Sequence, residues 1–172
     1  MRAKRSVSRG GMAAMLAASV TAATAVTMFA TGPAMAHHSF AQYNMEQTKV
    51  FTGVVTRVNP DANHLQIFFA VMNEERKNVL RGDDGKPLLW AVEMGGSAQS
   101  AQEGISVNTF PPGTIFSVAM HPLRNGGPAG SRVSPGGMFK CPERTPPAPG
   151  KHCDSVAGNT ALGKGALPAA KE

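Results

Sequence analysis

Residues 49–58 read KVFTGVVTRV, and this stretch decides the fold class because its dominant period is two. Such a period of two is typical of a β-strand with one buried face. A strict alternation puts Val50, Thr52, Val54, Thr56 and Val58 on one face, and Phe51, Gly53, Val55 and Arg57 on the other. Gly53 inside the run indicates a bulge or a bend.

The same period recurs along the chain and predicts three further strands, at residues 64–72, 88–94 and 114–121. Shorter candidate strands are residues 131–134 and 138–140, and Ser97 can cap a short helix that ends before Gly104. Four or five strands with a helix between the third and fourth predict an all-β protein with one short helix. We expect a small β-barrel that is OB-like, the type that binds oligonucleotides or oligosaccharides in other proteins.

Residues 1–36 have the three parts of a secretory signal peptide. Four basic residues precede an apolar run at residues 12–30, and Ala34-Met35-Ala36 forms a small-residue cleavage site. We therefore predict a periplasmic or secreted protein that begins at His37 and has no membrane segment after cleavage. The alternative is an uncleaved membrane anchor, because the apolar run is nearly long enough to span a bilayer.

Composition divides the mature chain into a small β-barrel domain at residues 37–140 and a Pro/Gly-rich segment at residues 141–172. The only two cysteines, Cys141 and Cys153, are expected to form a disulfide in an oxidising compartment. A metal site made by these two cysteines with His152 is the alternative. From residue 154 onward large apolar side chains are scarce, which predicts a flexible tail.

Charge argues against nucleic acid as a partner. The net charge of the full chain is +6, but four of its 17 lysines and arginines precede residue 37, so the mature chain carries +2. A net charge this small does not indicate a surface that binds nucleic acid.

Cleavage before His37 would create a metal-chelating N-terminus. The α-amine and the imidazole of His37 can bind one ion together, and His38 adds a second imidazole and a backbone amide. Nitrogen-rich, roughly planar sites favour Cu(II). His64 and His121 are the candidates for a further ligand from the folded domain, and Met45, Met94 and Met120 are thioether candidates for Cu(I).

Glu93 is a carboxylate within the apolar stretch Leu88–Met94, where it shares parity with Leu89 and Ala91. It is either a solvent-facing residue or a functional one, and Arg57 is its candidate ion partner. The sequence contains neither a G-x-S-x-G nor an H-E-x-x-H motif, so nothing in it indicates an enzyme.

Several features together resemble a family of secreted bacterial domains of unknown function whose mature chains open with His-His-Ser-Phe. The matching pieces, in order, are His37-His38-Ser39-Phe40, Gly53–Val58, Asn59-Pro60, Trp90–Gly95, Gly104, Pro112-Gly113 and His121-Pro122. The resemblance covers roughly residues 37–135 and implies an exported small β-domain without an established activity. The family turn Asn-Pro-His is altered here, since Asn59-Pro60 is followed by Asp61 and the histidine comes later, at His64.

These observations favour a non-enzymatic, exported binding module of unknown ligand that handles copper through His37 and His38. The alternative is a metal-independent structural or protein-interaction domain of the cell envelope, with an envelope protein or a small ligand as its partner. A copper-dependent oxidoreductase is less favoured. Such an enzyme acting on polysaccharide would need exposed aromatic residues that stack on sugar rings, and the mature chain has only one Trp and one Tyr.

Overall fold

The computed structural model describes residues 40–61, 63–134 and 136–170. The predicted signal peptide, His37 and His38 lie outside these residues, so the cleavage site and the domain boundaries remain predictions. In the described part of the chain, no helix is both long enough and apolar enough to cross a membrane.

Five strands form a closed barrel. They are β1 (Lys49–Pro60), β2 (Leu65–Val71), β3 (Leu89–Glu93), β4 (Ile115–Pro122) and β5 (Ala129–Arg132). Their order is β1-β2-β3-β5-β4, and β4 closes the ring by pairing with β1. The β3–β5 pair is parallel and the other pairs are antiparallel. With the helix α1 (Ser97–Gln102) between β3 and β4, this arrangement confirms the predicted small, OB-like, all-β barrel.

The barrel interior is filled by the faces that the alternation predicts on β2 and β4. Leu65, Ile67 and Phe69 of β2 are buried, and Phe69 packs edge-on against Phe116 of β4 with 5.2 Å between the ring centroids. Phe110 adds a second edge-on contact to Phe116 at 5.8 Å. Phe69 therefore links β2 to β4 across the core.

Strand β1 departs from strict alternation. Its register with β2 shifts between Val55 and Arg57, so Thr56 is an extra residue in a bulge. Beyond the bulge the faces exchange, and Val58 packs against the core whereas Arg57 is exposed. The prediction that Arg57 shares a face with Val55 is therefore wrong.

Gly53 does not form the bulge, which lies three residues later in the chain. It makes room for an aromatic ring instead, since a Cβ at this position would lie 2.4 Å from Cδ2 of Phe69 and 2.8 Å from the carbonyl oxygen of Ala70. The absence of a side chain at Gly53 thus lets the largest core residue of β2 sit against β1.

Two short strands extend the sheet beyond the barrel. β6 (Met138–Lys140) pairs with β4, and β7 (Thr160–Ala161) pairs with β6. Leu162, in the segment expected to be a flexible tail, is buried in the core, and its carbonyl accepts a hydrogen bond of 2.7 Å from the Arg132 guanidinium. Composition could not reveal this contribution, because Leu162 is an isolated large side chain among glycine and alanine.

The predicted disulfide between Cys141 and Cys153 is present. The alternative metal site is therefore wrong, because both sulfurs are bonded to each other. The disulfide closes a loop within residues 141–156, here called the strap, which directly follow β6. Arg76 fastens the strap further, since its Nε donates a hydrogen bond of 2.9 Å to the carbonyl of Lys151.

Under the strap lies a chain of hydrogen-bonded polar groups. The hydroxyls of Thr52 and Ser117, both buried, are 2.7 Å apart. Ser117 accepts a hydrogen bond of 2.8 Å from the backbone N–H of Cys153, and Nδ1 of His152 lies 2.8 Å from the Thr52 hydroxyl. Each of these groups has a hydrogen-bond partner when Nδ1 of His152 accepts a hydrogen bond from the Thr52 hydroxyl. This arrangement requires the ring of His152 to be neutral. Burial, and then the charge of Arg76, lower the pKa of His152 below its usual value, which agrees with this arrangement.

We predict that Gly53→Ala lowers the free energy of unfolding by about 1–3 kcal/mol, because the new methyl group must displace Phe69 or the β2 backbone. Chemical denaturation measures the change. Gly82→Ala is the matched control, since a Cβ there meets only ordinary contacts, the nearest at 3.4 Å. Equal losses in both variants would contradict the close packing at Gly53.

We also predict that stability falls as the pH drops below about 6.5. The pKa of His152 is lowered in the folded state, so the unfolded chain binds more protons in the window between the two pKa values, and acid favours unfolding there. His152→Asn, which keeps an acceptor for Thr52 but does not titrate, should flatten this dependence. Thermal unfolding between pH 5 and 8 tests it, and an unchanged slope in the variant would contradict the assignment.

Candidate functional site

Four polar residues from four strands lie in one row on the outside of the barrel. Gln66 is paired with Glu93, Glu93 with Ser131, and Ser131 with His121. Paired residues point to the same side of a sheet, and Ile67, Val92 and Met120, which flank the row on β2, β3 and β4, lie in the core. These four residues, the outer row, therefore face away from the barrel interior.

The carboxylate of Glu93 contacts three other side chains. Its Oε1 lies 3.3 Å from Nδ1 of His64, and its Oε2 accepts a hydrogen bond of 3.3 Å from Nε2 of Gln66. The third partner is the hydroxyl of Tyr43. A carboxylate offers about four lone-pair directions, so it can accept from several donors at once. Glu93 lies on the outer face, as its parity predicts. It is the centre of a polar cluster that it forms with His64, Gln66 and Tyr43.

Tyr43 is buried and stays protonated. Burial, the negative charge of Glu93 and a hydrogen bond to Glu93 together raise the pKa of Tyr43 to about 12. At neutral pH the phenol is therefore a hydrogen-bond donor to the carboxylate. Tyr43 pairs with Leu123 just after β4, so its side chain connects the N-terminal segment of the barrel to β3.

The N-terminal segment is held against the end of β4. Phe40–Gln42 form a 3-10 helix, and Nε of Arg124 donates to the carbonyl of Ala41 at 3.0 Å. The backbone N–H of Arg124 bonds to the carbonyl of Gln42, and that of Asn44 to the carbonyl of Pro122. The chain is thus attached to the barrel from Ala41 onward.

His121 lies at the other end of the outer row. Its Nδ1 is 2.9 Å from the carbonyl oxygen of Gln47, and because a carbonyl only accepts, this nitrogen carries the proton. Strand β5 separates His121 from Glu93, which places their backbones about 10 Å apart. Residues 40–61, 63–134 and 136–170 contain no group of three His, Cys, Asp or Glu side chains suited to a metal ion. The structure therefore brings His64 to Glu93 but does not gather His64 and His121 into one cluster.

The remaining sequence candidates lie apart from the cluster. The guanidinium of Arg57 stacks over the ring of Phe68, 4.0 Å from its centroid. His64, and not Arg57, lies beside Glu93, because the bulge at Thr56 turns Arg57 to a different neighbour. Of the thioether candidates, Met94 and Met120 are buried in the core, whereas Met45 is exposed.

Two residues of the cluster were not among the predicted site residues, Tyr43 and Gln66. Tyr43 could have been singled out from the sequence, because it is the only tyrosine of the chain and lies six residues after His37. Gln66 shares parity with His64, but its contact with Glu93 depends on the pairing of β2 with β3, which sequence reasoning did not supply.

Comparison with known proteins gives one match. A family model described as a family of unknown function, DUF6152, matches residues 25–132. No curated protein and no solved structure matches the chain. The match ends before β6, the strap and β7.

We predict that the phenol of Tyr43 titrates at about pH 12, two units above an ordinary tyrosine. Because the chain has one tyrosine, the rise of phenolate absorbance in the near ultraviolet reports this group alone. Glu93→Gln should lower the midpoint, since it removes the negative charge and leaves the burial. Glu143→Gln, at an exposed carboxylate, is the control. The interaction would be contradicted by the same midpoint in all three proteins, measured while circular dichroism reports a folded chain.

Proposed function

The chain belongs to the DUF6152 family, whose function is unknown, and we propose that its exported form is a copper-binding module. In this proposal the signal peptide is removed before His37, and the new N-terminus binds Cu(II). The barrel acts as the support that orients this terminus.

The chemistry of the proposed site starts with His37. A free α-amine and the imidazole of the same residue chelate one ion, and His38 contributes a second imidazole. Cu(II) binds such nitrogen donors more tightly than the other first-row divalent ions do. A short peptide with these residues also binds copper, so a protein function requires that the barrel add something to the peptide.

The attachment of residues 41–44 to the barrel is the observation that carries the proposal. An unattached terminus frays, but the carbonyls of Ala41 and Gln42 are both bonded to Arg124. The chain is therefore attached to the barrel from Ala41 onward, four residues after His37 in the sequence.

The barrel surface near the attachment also supports a cation. Tyr43, which follows the attached residues, contacts Glu93, and Glu93 contacts His64. A carboxylate lowers the cost of holding a positive ion, and an imidazole is a suitable further ligand for copper. His64 and His121 are both candidates for that ligand in the proposed function.

We predict that the protein beginning at His37 binds Cu(II) at least about tenfold more tightly than the isolated His-His-Ser-Phe peptide, a difference of about 1.4 kcal/mol. The physical reason is that the barrel adds a ligand and orients the terminus. Competition titration with a copper chelator measures both dissociation constants.

The control is the same protein with one alanine added before His37. The extra residue moves the α-amine away from the imidazole, so the affinity should fall sharply while the barrel stays intact. Equal and weak binding by the native, extended and peptide forms would overturn the copper proposal.

A metal-independent interaction domain is the second candidate. Leu80, Leu88 and Leu89 are large apolar side chains with 41–49 % of their surface exposed, and a hydrogen bond joins the backbones of Leu80 and Leu88. Neighbouring exposed apolar residues are a feature of protein-binding surfaces. If copper binding fails as described above, this surface becomes the leading candidate for function.

A further inference from the structure

We infer that the cleft lined by β1, the turn after β2 and the strap binds a small zwitterion, an α-amino acid with an apolar side chain. The carboxylate of this molecule binds Arg76 and His152, and its ammonium group binds Glu74. The inference goes beyond the copper proposal and does not depend on it, because none of the residues assigned to copper lines the cleft.

The cleft has the size and the lining of a small-molecule site. Its volume is about 340 Å³, and sites for small molecules typically measure about 300–1,000 Å³. Val50, Phe51, Val71 and Met72 form an apolar wall on the side of the barrel. Opposite charges and hydrogen-bonding groups line the same cleft, and they come from three residues, Glu74, Arg76 and His152.

The hydrogen-bonded chain under the strap determines which nitrogen of His152 carries a proton. Ser117 is buried and already accepts from the backbone N–H of Cys153. Its own hydroxyl proton therefore needs the Thr52 oxygen as an acceptor, and Thr52 in turn donates to Nδ1 of His152. The reverse direction would leave the Ser117 proton buried without an acceptor, which is destabilising. The proton of the neutral ring thus lies on Nε2.

Nε2 of His152 is a donor that a ligand can reach. It makes no hydrogen bond within the part of the chain that the structure describes. In those same residues, no side-chain nitrogen or oxygen is both buried and without a partner. Solvent therefore reaches Nε2 from the cleft, and its N–H group can donate to a carboxylate oxygen.

Arg76 supplies a second donor and a positive charge. Its Nε donates to the carbonyl of Lys151 at 2.9 Å, and its Nη1 donates to the carbonyl of Asn73 at 3.0 Å. These bonds hold the guanidinium between the strap and the turn after β2. Nη2 makes no hydrogen bond to any residue that the structure describes, so it can donate to the same carboxylate.

Glu74 places a negative charge at this cleft. Its backbone carbonyl accepts a hydrogen bond of 2.9 Å from Gly150, which ties the residue to the strap. Burial lowers the pKa of Arg76, and the charge of Glu74 opposes that shift, so the two charges interact. Within the described residues, however, no ion pair joins them.

Two opposite charges that interact without touching favour a ligand that carries both charges. A simple anion would be attracted by Arg76 but repelled by Glu74, and a simple cation would meet the reverse situation. A zwitterion pairs with both residues, and each of its bonds is a charge-assisted hydrogen bond. The apolar side chain of the ligand packs against Val50, Phe51 and Met72.

Isothermal titration calorimetry of the intact protein with L-leucine tests the inference. A metal chelator is present throughout, because free amino acids bind copper. Leucine amide, which lacks the carboxylate, and N-acetyl-leucine, which lacks the ammonium group, are the matched ligands. We expect L-leucine to bind at one site per chain, and each matched ligand to bind at least about tenfold more weakly, since each leaves one charged partner unpaired.

Two substitutions assign the charges of the cleft. Glu74→Gln should weaken the binding of L-leucine about tenfold and leave that of N-acetyl-leucine unchanged. Arg76→Gln should remove the preference for L-leucine over leucine amide. Glu75→Gln and Arg81→Gln, at exposed residues outside the cleft, are the matched controls and should bind like the native protein. Because Arg76 also fastens the strap, the Glu74→Gln result decides if Arg76→Gln does not fold.

Each negative result has a distinct meaning. If L-leucine shows no saturable binding at millimolar concentration, or if the three ligands bind equally, the inference is overturned. If N-acetyl-leucine binds as tightly as L-leucine and Glu74→Gln has no effect, the site takes an anion and the zwitterion assignment is wrong. The copper proposal is tested separately, by the alanine-extended protein without the chelator, so neither failure is mistaken for the other.

Discussion

The structure depends on a single strand that pairs with two partners. β1 runs for 12 residues, and residues 49–54 pair with β4 while residues 53–60 pair with β2. A strand that closes a barrel must bend, and β1 has two devices for this. Gly53 lets Phe69 approach the backbone where both pairings overlap, and the extra residue Thr56 increases the local twist. Without this bent strand, β4 and β2 would be separate sheet edges and there would be no enclosed core.

Two polar clusters lie on the outer side of the closed barrel, and they differ in burial and in charge. In the cluster under the strap the hydroxyls of Thr52 and Ser117 are buried, and the lowered pKa of His152 favours a neutral ring beside them. The cluster around Glu93 is partly open and holds a carboxylate that lies beside a histidine. Only the second cluster combines access from solvent with a charge that a cation can use.

Local pattern was sufficient to predict the strands and most of their faces. A period of two runs through Leu65, Ile67 and Phe69 and through Phe116, Val118 and Met120, so these buried sides follow from the sequence alone. β1 could not be predicted so well, because nothing in the sequence marks Thr56 as an extra residue. Because the same register shift turns Arg57 away, the predicted pair of Arg57 and Glu93 does not form. The partners that Glu93 does have are brought together by the strand order, through the β2–β3 pairing and the attachment of the segment around Tyr43 beside β4.

Because Leu162 is buried in the core, the folded domain extends beyond the region that matches the family. The family match ends at residue 132, yet β6 pairs with β4, β7 pairs with β6, and Leu162 fills part of the core. A protein cut at the end of the match would lose the strap over Thr52 and Ser117 and would leave part of β4 as an unpaired edge. Unpaired edges recruit other strands and lead to aggregation. The boundary for a soluble fragment of this protein therefore lies after Leu162, thirty residues beyond the point at which sequence similarity stops.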